Sequence, residues 1–379
     1  MGSGSVREPA HVTALRIDDA PGSGLVSSAA DVVVRRAPRP GRRWPARLRF
    51  AAGLVAGAAL TCVALPSVTG VAWNDVAPAA TEVPPVWLIA LTALWFTGLL
   101  AHTITLTGAL PGLTLRRALA LSLTGSAVAN VLPLGGAAGI ALNYRMARTW
   151  GHSPAAIGAY TVVTNIWDVG VKVLLPILAL PALLVAASTV GATVANAVIA
   201  GVLGLGVLTA LGVATLSSAA AARRTGNLVD RVFGRWLRGR SCRAALLRLR
   251  EVTHAVIRTR WRRLSTGIVL YTALLFALLL GCLTASGAGS SFTAVLAGFT
   301  VERILTLAGL TPGGAGVVEV GLATTLLAFP GAPVGIALGV LLYRALTFGL
   351  EIPVGGVALA AWFWAARVRV KNLPSGSVA

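Results

Sequence analysis

Leu310-Thr311-Pro312-Gly313-Gly314-Ala315-Gly316-Val317-Val318-Glu319 lies inside apolar sequence, and Asn130-Val131-Leu132-Pro133-Leu134-Gly135-Gly136-Ala137-Ala138-Gly139 is its counterpart in the first half. Each cluster leads into a long apolar stretch that carries a charge and a proline, Asp168 with Pro176 in the first half and Arg344 with Pro353 in the second. The cluster prolines are 179 residues apart (133 to 312) and the later prolines 177 (176 to 353), so the whole unit reads as duplicated. Paired proline and glycine interruptions in the two halves of a membrane protein point to a transport site.

Composition agrees with a membrane setting. Hydrophobic residues make up 56% of the chain and charged residues 12%, with a mean hydropathy of +0.81, whereas soluble domains are about a quarter charged. A helix needs roughly 20 apolar residues to cross the hydrocarbon layer. Stretches near that length fall at about 48–72, 86–108, 155–180, 190–217, 265–286 and 334–364, which predicts six spans. Two further apolar stretches, 118–150 and 292–329, are each cut by a proline–glycine cluster. Their limbs are too short to cross: 118–132 rises only about 22 Å as a helix. Re-entrant hairpins are therefore expected, and non-helical backbone at that depth survives only against protein or water.

The net charge of +20 is spread unevenly. Basic residues gather at 35–49, Arg116, Arg117, Arg145, Arg148, 222–263, Arg367, Arg369 and Lys371, while the connections 73–85, 181–189, 287–291 and 330–333 hold no Lys or Arg. The positive-inside rule then predicts an inner-membrane protein with both termini and the 222–263 loop in the cytoplasm. On this topology the first hairpin enters from inside and the second from outside, an inverted repeat with its interface near the midplane. No nucleic-acid partner is expected, since an arginine-rich loop beside a membrane already has anionic lipid.

Residues 1–46 are polar and lack a periodic apolar face, which predicts a disordered basic tail. The domain proper spans 47–366, with repeat units about 113–217 and 288–366, and 367–379 forms a second tail. The 222–263 loop has thirteen Arg against two acids, with Leu228, Val232, Trp236, Leu249, Val252 and Val256 at helical spacing. It is expected to form amphipathic helices lying in the inner interface.

Charges inside spans are costly unless paired or hydrated, so each is a candidate functional group. There are seven: Asp168, Lys172, Glu302, Arg303, Glu319, Arg344 and Glu351. Asp168 and Lys172 are four apart on one helical face, an ion pair or a site. Arg344 and Glu351 are seven apart and are expected to share a face. Arginine suits a phosphate because its planar fork bonds two oxygens at once, and a helix start after Gly316 would add its positive end. Arg344 and Arg303 are thus expected to bind phosphate, and Glu302, Glu319 and Glu351 to balance charge or accept an amine or proton. The competing reading is a charge-compensated cluster that only locks the hairpin. Pro133, Gly135 and Gly136 in the first turn, and Pro312, Gly313, Gly314 and Gly316 in the second, are the expected hinges or gates.

Cys62, Cys242 and Cys282 show neither metal nor disulfide spacing, and no Gly-x-Ser-x-Gly or His-Glu-x-x-His motif occurs. No cofactor and no enzymatic activity are expected. A membrane-embedded transferase would need Glu302 and Glu319 as a close acidic dyad.

The stretch 311–322, with Leu341-Leu342-Tyr343-Arg344-Ala345-Leu346-Thr347-Phe348 and Ile352-Pro353-Val354-Gly355, resembles the flippase-like transmembrane domain of lysylphosphatidylglycerol synthases over most of 48–366. The resemblance implies a domain that moves an aminoacylated phospholipid between leaflets, with Pro312, Gly313, Gly314, Gly316, Glu319, Tyr343 and Arg344 as motif residues. About 13 residues follow the last expected span, so the synthases' aminoacyltransferase domain is expected to be lacking. The expected function is translocation of an anionic phospholipid or lipid-linked headgroup, with membrane lipids as partners. The alternative is a non-transporting subunit that docks a lipid- or glycan-modifying enzyme through the 222–263 loop.

Overall fold

A computed structural model describes residues 61–132, 135–179, 218–233, 242–308 and 311–371, together with isolated positions between 55 and 59 and between 204 and 214. Every regular element among the described residues is helical. Among the described residues, four helices are long and apolar enough to cross a membrane: Pro85–Ala109, Pro154–Leu178, Arg250–Ala285 and Pro333–Arg367. They coincide with four of the six expected spans. Of the other two, 48–72 is described only as a helix over 61–69 and at isolated positions, and 190–217 lies outside the described residues apart from isolated helical positions. The tail 1–46, Pro133 and Trp236 also lie outside them.

Local chemistry sets the helix starts. α1 (Trp73–Glu82) occupies part of the 73–85 connection, where no helix is expected. α2 (Pro85–Ala109) begins with proline, whose fixed φ suits the first helical position. α3 (Leu115–Val131) is capped by Thr114, which accepts from the Arg117 N–H at 3.4 Å. α4 (Gly135–Thr149) returns against α3, and α5 (Pro154–Leu178) starts at Ser153, whose hydroxyl accepts from the Ala156 N–H at 3.3 Å.

α6 (Ala219–Phe233) packs on α7 (Cys242–Ala285), a single helix of 44 residues. This departs from the expected interfacial loop helices: residues 242–263 continue straight into the span. The reason is legible, because no glycine or proline interrupts the chain between Cys242 and Gly267. α8 (Phe292–Ala308) and α9 (Val317–Leu327) form the second hairpin. α10 (Pro333–Arg344) passes through a π-turn at Ala345–Gly349 into α11 (Glu351–Lys371).

Lipid tails are as apolar as leucine, so helices in a membrane associate by close packing of small residues rather than by water exclusion. α2 lies along α7, where a Cβ on Gly267 would meet the Thr105 main-chain N at 2.5 Å. α3 lies along α11, where one on Gly355 would meet the Ala127 Cβ at 2.5 Å. Leu91, Trp95, Leu99, Leu278, Phe299, Leu322 and Tyr343 fill the main core, and Leu110, Leu121, Met146, Ile157 and Leu264 a second one. The resulting order is a helical hairpin followed at once by a long apolar helix, twice.

Candidate functional site

The second turn is shaped by its glycines. Pro312–Gly314 make one 3-10 turn, and Gly313, Gly314 and Gly316 all adopt positive φ, at 58°, 74° and 83°. Side chains rarely tolerate that region. Gly316 caps α9, and its N–H is held by the Glu319 carboxylate at 2.7 Å. Arg344 reaches this carboxylate with Nε at 2.8 Å, donates from Nη2 to the Gly313 carbonyl at 2.9 Å, and lies over the Phe348 ring at 5.0 Å. The helix start expected to receive a phosphate therefore already holds Glu319, and Arg344 bolts α10 to the turn. Both side chains are almost wholly buried.

Glu302, fully buried, pairs with its neighbour Arg303, whose Nη2 also donates to the Tyr343 hydroxyl at 3.3 Å. Arg303 lies over Phe299. Glu302 and Glu319 are thus bonded to different arginines, Arg303 and Arg344.

Asp168 and Lys172 form the third ion pair, at 2.8 Å, as their spacing predicted. It is the most open of the three, since 42% of the Asp168 side chain is accessible. Thr161, Asn165, Asp168 and Lys172 recur at helical spacing and draw a polar stripe down α5. The Asp168 carboxylate also interacts electrostatically with Arg303 and His102, which brings the first-half pair to the second-half cluster.

Between Arg344 and Glu351, expected to share a face, the helix is irregular. The π-turn inserts an extra residue, about 100° of rotation, and Leu350 N–H bonds the Ala345 carbonyl five residues back. Pro353, with no N–H for the Gly349 carbonyl, favours such a break. The Glu351 carboxylate instead accepts from Asn130 Nδ2 at 3.3 Å, with Ser126 also bonded to it. Asn130, in the last turn of α3, lies beside Gly313, where a Cβ would meet its Oδ1 at 3.0 Å. The tips of the two hairpins therefore meet.

Pro133 and Leu134 of the first turn lie outside the described residues. Gly135 and Gly136 are the opening residues of α4, neither with positive φ. Gly135 and Gly139 instead let α4 approach the α3 backbone at Ala129 and Gly125. At the foot of this hairpin Arg148 donates to the His152 carbonyl at 2.9 Å and Arg117 covers Trp150, which suits anchoring arginines.

Several members of the network were missed in the sequence. His102 bonds Ser122 at 3.2 Å and stacks on Tyr271, with ring centroids 4.6 Å apart. Tyr271 interacts electrostatically with Glu351, Arg303, Asp168 and Glu302. A lone histidine and a lone tyrosine on apolar helices carry little signal, but Asn165 was findable from its place between Thr161 and Asp168.

No curated protein matches the chain. Residues 50–355 match the family described as the lysylphosphatidylglycerol synthase TM region. With most of its length matched to that family in an all-helical arrangement of membrane-length helices, the chain belongs to the lysylphosphatidylglycerol synthase transmembrane-region family.

Proposed function

We propose that this membrane protein is a translocase that carries an anionic phospholipid or lipid-linked headgroup between leaflets, and that it acts without catalysing a covalent reaction. In this reading it sits in the inner membrane with both termini cytoplasmic. The hairpins α3–α4 and α8–α9 are re-entrant and inverted relative to each other. Their limbs support this, since 17, 15, 17 and 11 residues rise about 16–26 Å, short of the roughly 30 Å hydrocarbon core.

The observation that carries the reading is the set of three ion pairs in apolar helices among the described residues, of which only Asp168–Lys172 has a member more than a third accessible, the Asp168 carboxylate. Lys172 leaves Asp168 to take the headgroup phosphate, and the stripe of Thr161, Asn165 and Asp168 guides the polar head along α5. Arg303 lies within electrostatic reach of Asp168 and receives the phosphate next, while Tyr343, Glu302, Glu319 and Arg344 hold the second hairpin in shape. The charge-neutral double variant Asp168→Asn/Lys172→Met tests it in vesicles containing tail-labelled phosphatidylglycerol. Wild type is expected to expose inner-leaflet label to an external quencher, and the double variant to be at least tenfold slower. Equal rates would overturn the reading.

A docking role is favoured by a different feature, the exposed Trp261 among Arg258, Arg260 and Arg262 on α7. It is discriminated by Trp261→Ala, which leaves a translocase intact and disables a scaffold.

A further inference from the structure

Four carboxylates lie in the central network, but only three have a cation. Asp168 pairs with Lys172, Glu302 with Arg303 and Glu319 with Arg344, while Glu351 has no ion-pair partner among the described residues. It is buried, 8% exposed, and its bonded partners are an amide and a hydroxyl on α3, Asn130 and Ser126. Charged groups face it from three other elements: Arg344 at the end of α10, Arg303 on α8 and, as a neutral phenol, Tyr271 on α7, with His102 of α2 stacked behind that ring. Both arginines are already neutralised by their own acids. Glu351 is thus the one unbalanced charge in the cluster.

A carboxylate buried without a countercharge is very costly and is relieved by binding a proton. Ionisable groups of this kind inside membranes mark proton paths. Position adds a second argument: Glu351 follows directly on a π-turn, a helix irregularity common at functional sites, and its Asn130 bond joins the tips of the two hairpins. Releasing or binding one proton there changes the strength of the only described polar bond that this carboxylate makes to the first hairpin's tip residue.

We propose that Glu351 is the proton-binding site that couples movement of the two hairpins to a transmembrane proton gradient. The proton adds to the carboxylate from the aqueous phase on one side and leaves to the other, with no covalent change elsewhere. Coupling to lipid rests on the translocase reading above; proton binding at Glu351 does not.

The full chain in lipid vesicles provides both tests. Infrared difference spectra recorded across a pH step are expected to show a protonated-carboxyl band that disappears in Glu351→Gln and persists in Glu302→Gln and Glu319→Gln. A band unchanged in Glu351→Gln overturns the assignment. In vesicles with tail-labelled phosphatidylglycerol, a gradient of one pH unit is expected to bias wild-type lipid distribution by up to about tenfold for one proton per lipid, while Glu351→Gln moves lipid equally fast without a gradient and shows no bias. A bias retained in Glu351→Gln, or absent from wild type that does move lipid, overturns the coupling. Wild type that moves no lipid under any condition sinks the translocase reading, and the infrared result then stands or falls by itself.

Discussion

The two hairpins open with similar sequence and are held by opposite means. In α8–α9 the turn itself is special: three glycines with positive φ, a carboxylate capping the next helix, and Arg344 bonded to both carboxylate and turn carbonyl. In α3–α4 the described glycines are helical, and Gly135 and Gly139 serve close contact between limbs. A glycine cluster therefore specifies either a turn or a packing face, and the charged residues near it decide which. Glu319 follows the second cluster by design of that turn, whereas the equivalent stretch of the first cluster continues with Ile140, Ala141 and Leu142.

The contrast is broken most severely by removing the bolt. Arg344→Ala leaves Glu319 buried without its cation, and losing one partner of such a pair costs about 3–5 kcal/mol. Thermal unfolding in detergent is expected to drop sharply, with partial recovery in Arg344→Met/Glu319→Gln; an unchanged transition would remove the bolt from the account.

Alanine at one glycine from each cluster gives changes of opposite sign. Gly313→Ala meets both the Phe348 ring and a positive φ, a strain of about 1–3 kcal/mol. Gly136→Ala meets nothing within 4 Å on a helix and is expected to stabilise by up to about 1 kcal/mol. Gly135→Ala, against the Ala129 backbone, is expected to destabilise by about 1–3 kcal/mol, as overpacking does. Thermal shifts of the same sign at positions 313 and 136 would erase the distinction between the turns.

Smaller effects lie outside the turns. The open Asp168–Lys172 pair contributes little to folding, so Asp168→Asn/Lys172→Met is expected to change stability by less than about 1 kcal/mol while slowing lipid movement; a large loss of stability would mark the pair as structural. At the foot of the first hairpin, burial and then the nearby Arg117 charge hold the His152 ring below its ordinary value of 6.5. The folded state thus disfavours protonation, so its stabilising effect is present above pH 6.5 and declines as pH falls below it. Unfolding followed between pH 7 and 5 is expected to show a small acid loss that His152→Gln flattens.

Much of this fold was legible because hydropathy and length are local properties. α2, α5, the second half of α7 and α10–α11 coincide with expected spans, and both interrupted stretches fold as helical hairpins. The Asp168–Lys172 pair was legible for the same reason, being four residues apart. Arg344 with Glu319, 25 residues apart, and Asn130 with Glu351, 221 apart, were not, because tertiary packing alone brings them together. The π-turn had a trace in Pro353, but proline signals a break without saying which kind. The arginines of 242–263 favour an interfacial loop, whereas the lack of any helix breaker before Gly267 lets these residues continue as one helix into the span.

The meeting of the two tips is the centre of the account, and a reversible cross-link tests it most directly. With Cys62, Cys242 and Cys282 replaced by alanine, Asn130→Cys/Glu351→Cys is oxidised in vesicles and gradient-free movement of tail-labelled phosphatidylglycerol is followed before and after reduction. The account expects ready cross-linking, arrest of lipid movement and recovery once the bond is reduced. Failure to cross-link, or movement that continues unchanged with the tips tied, would contradict it.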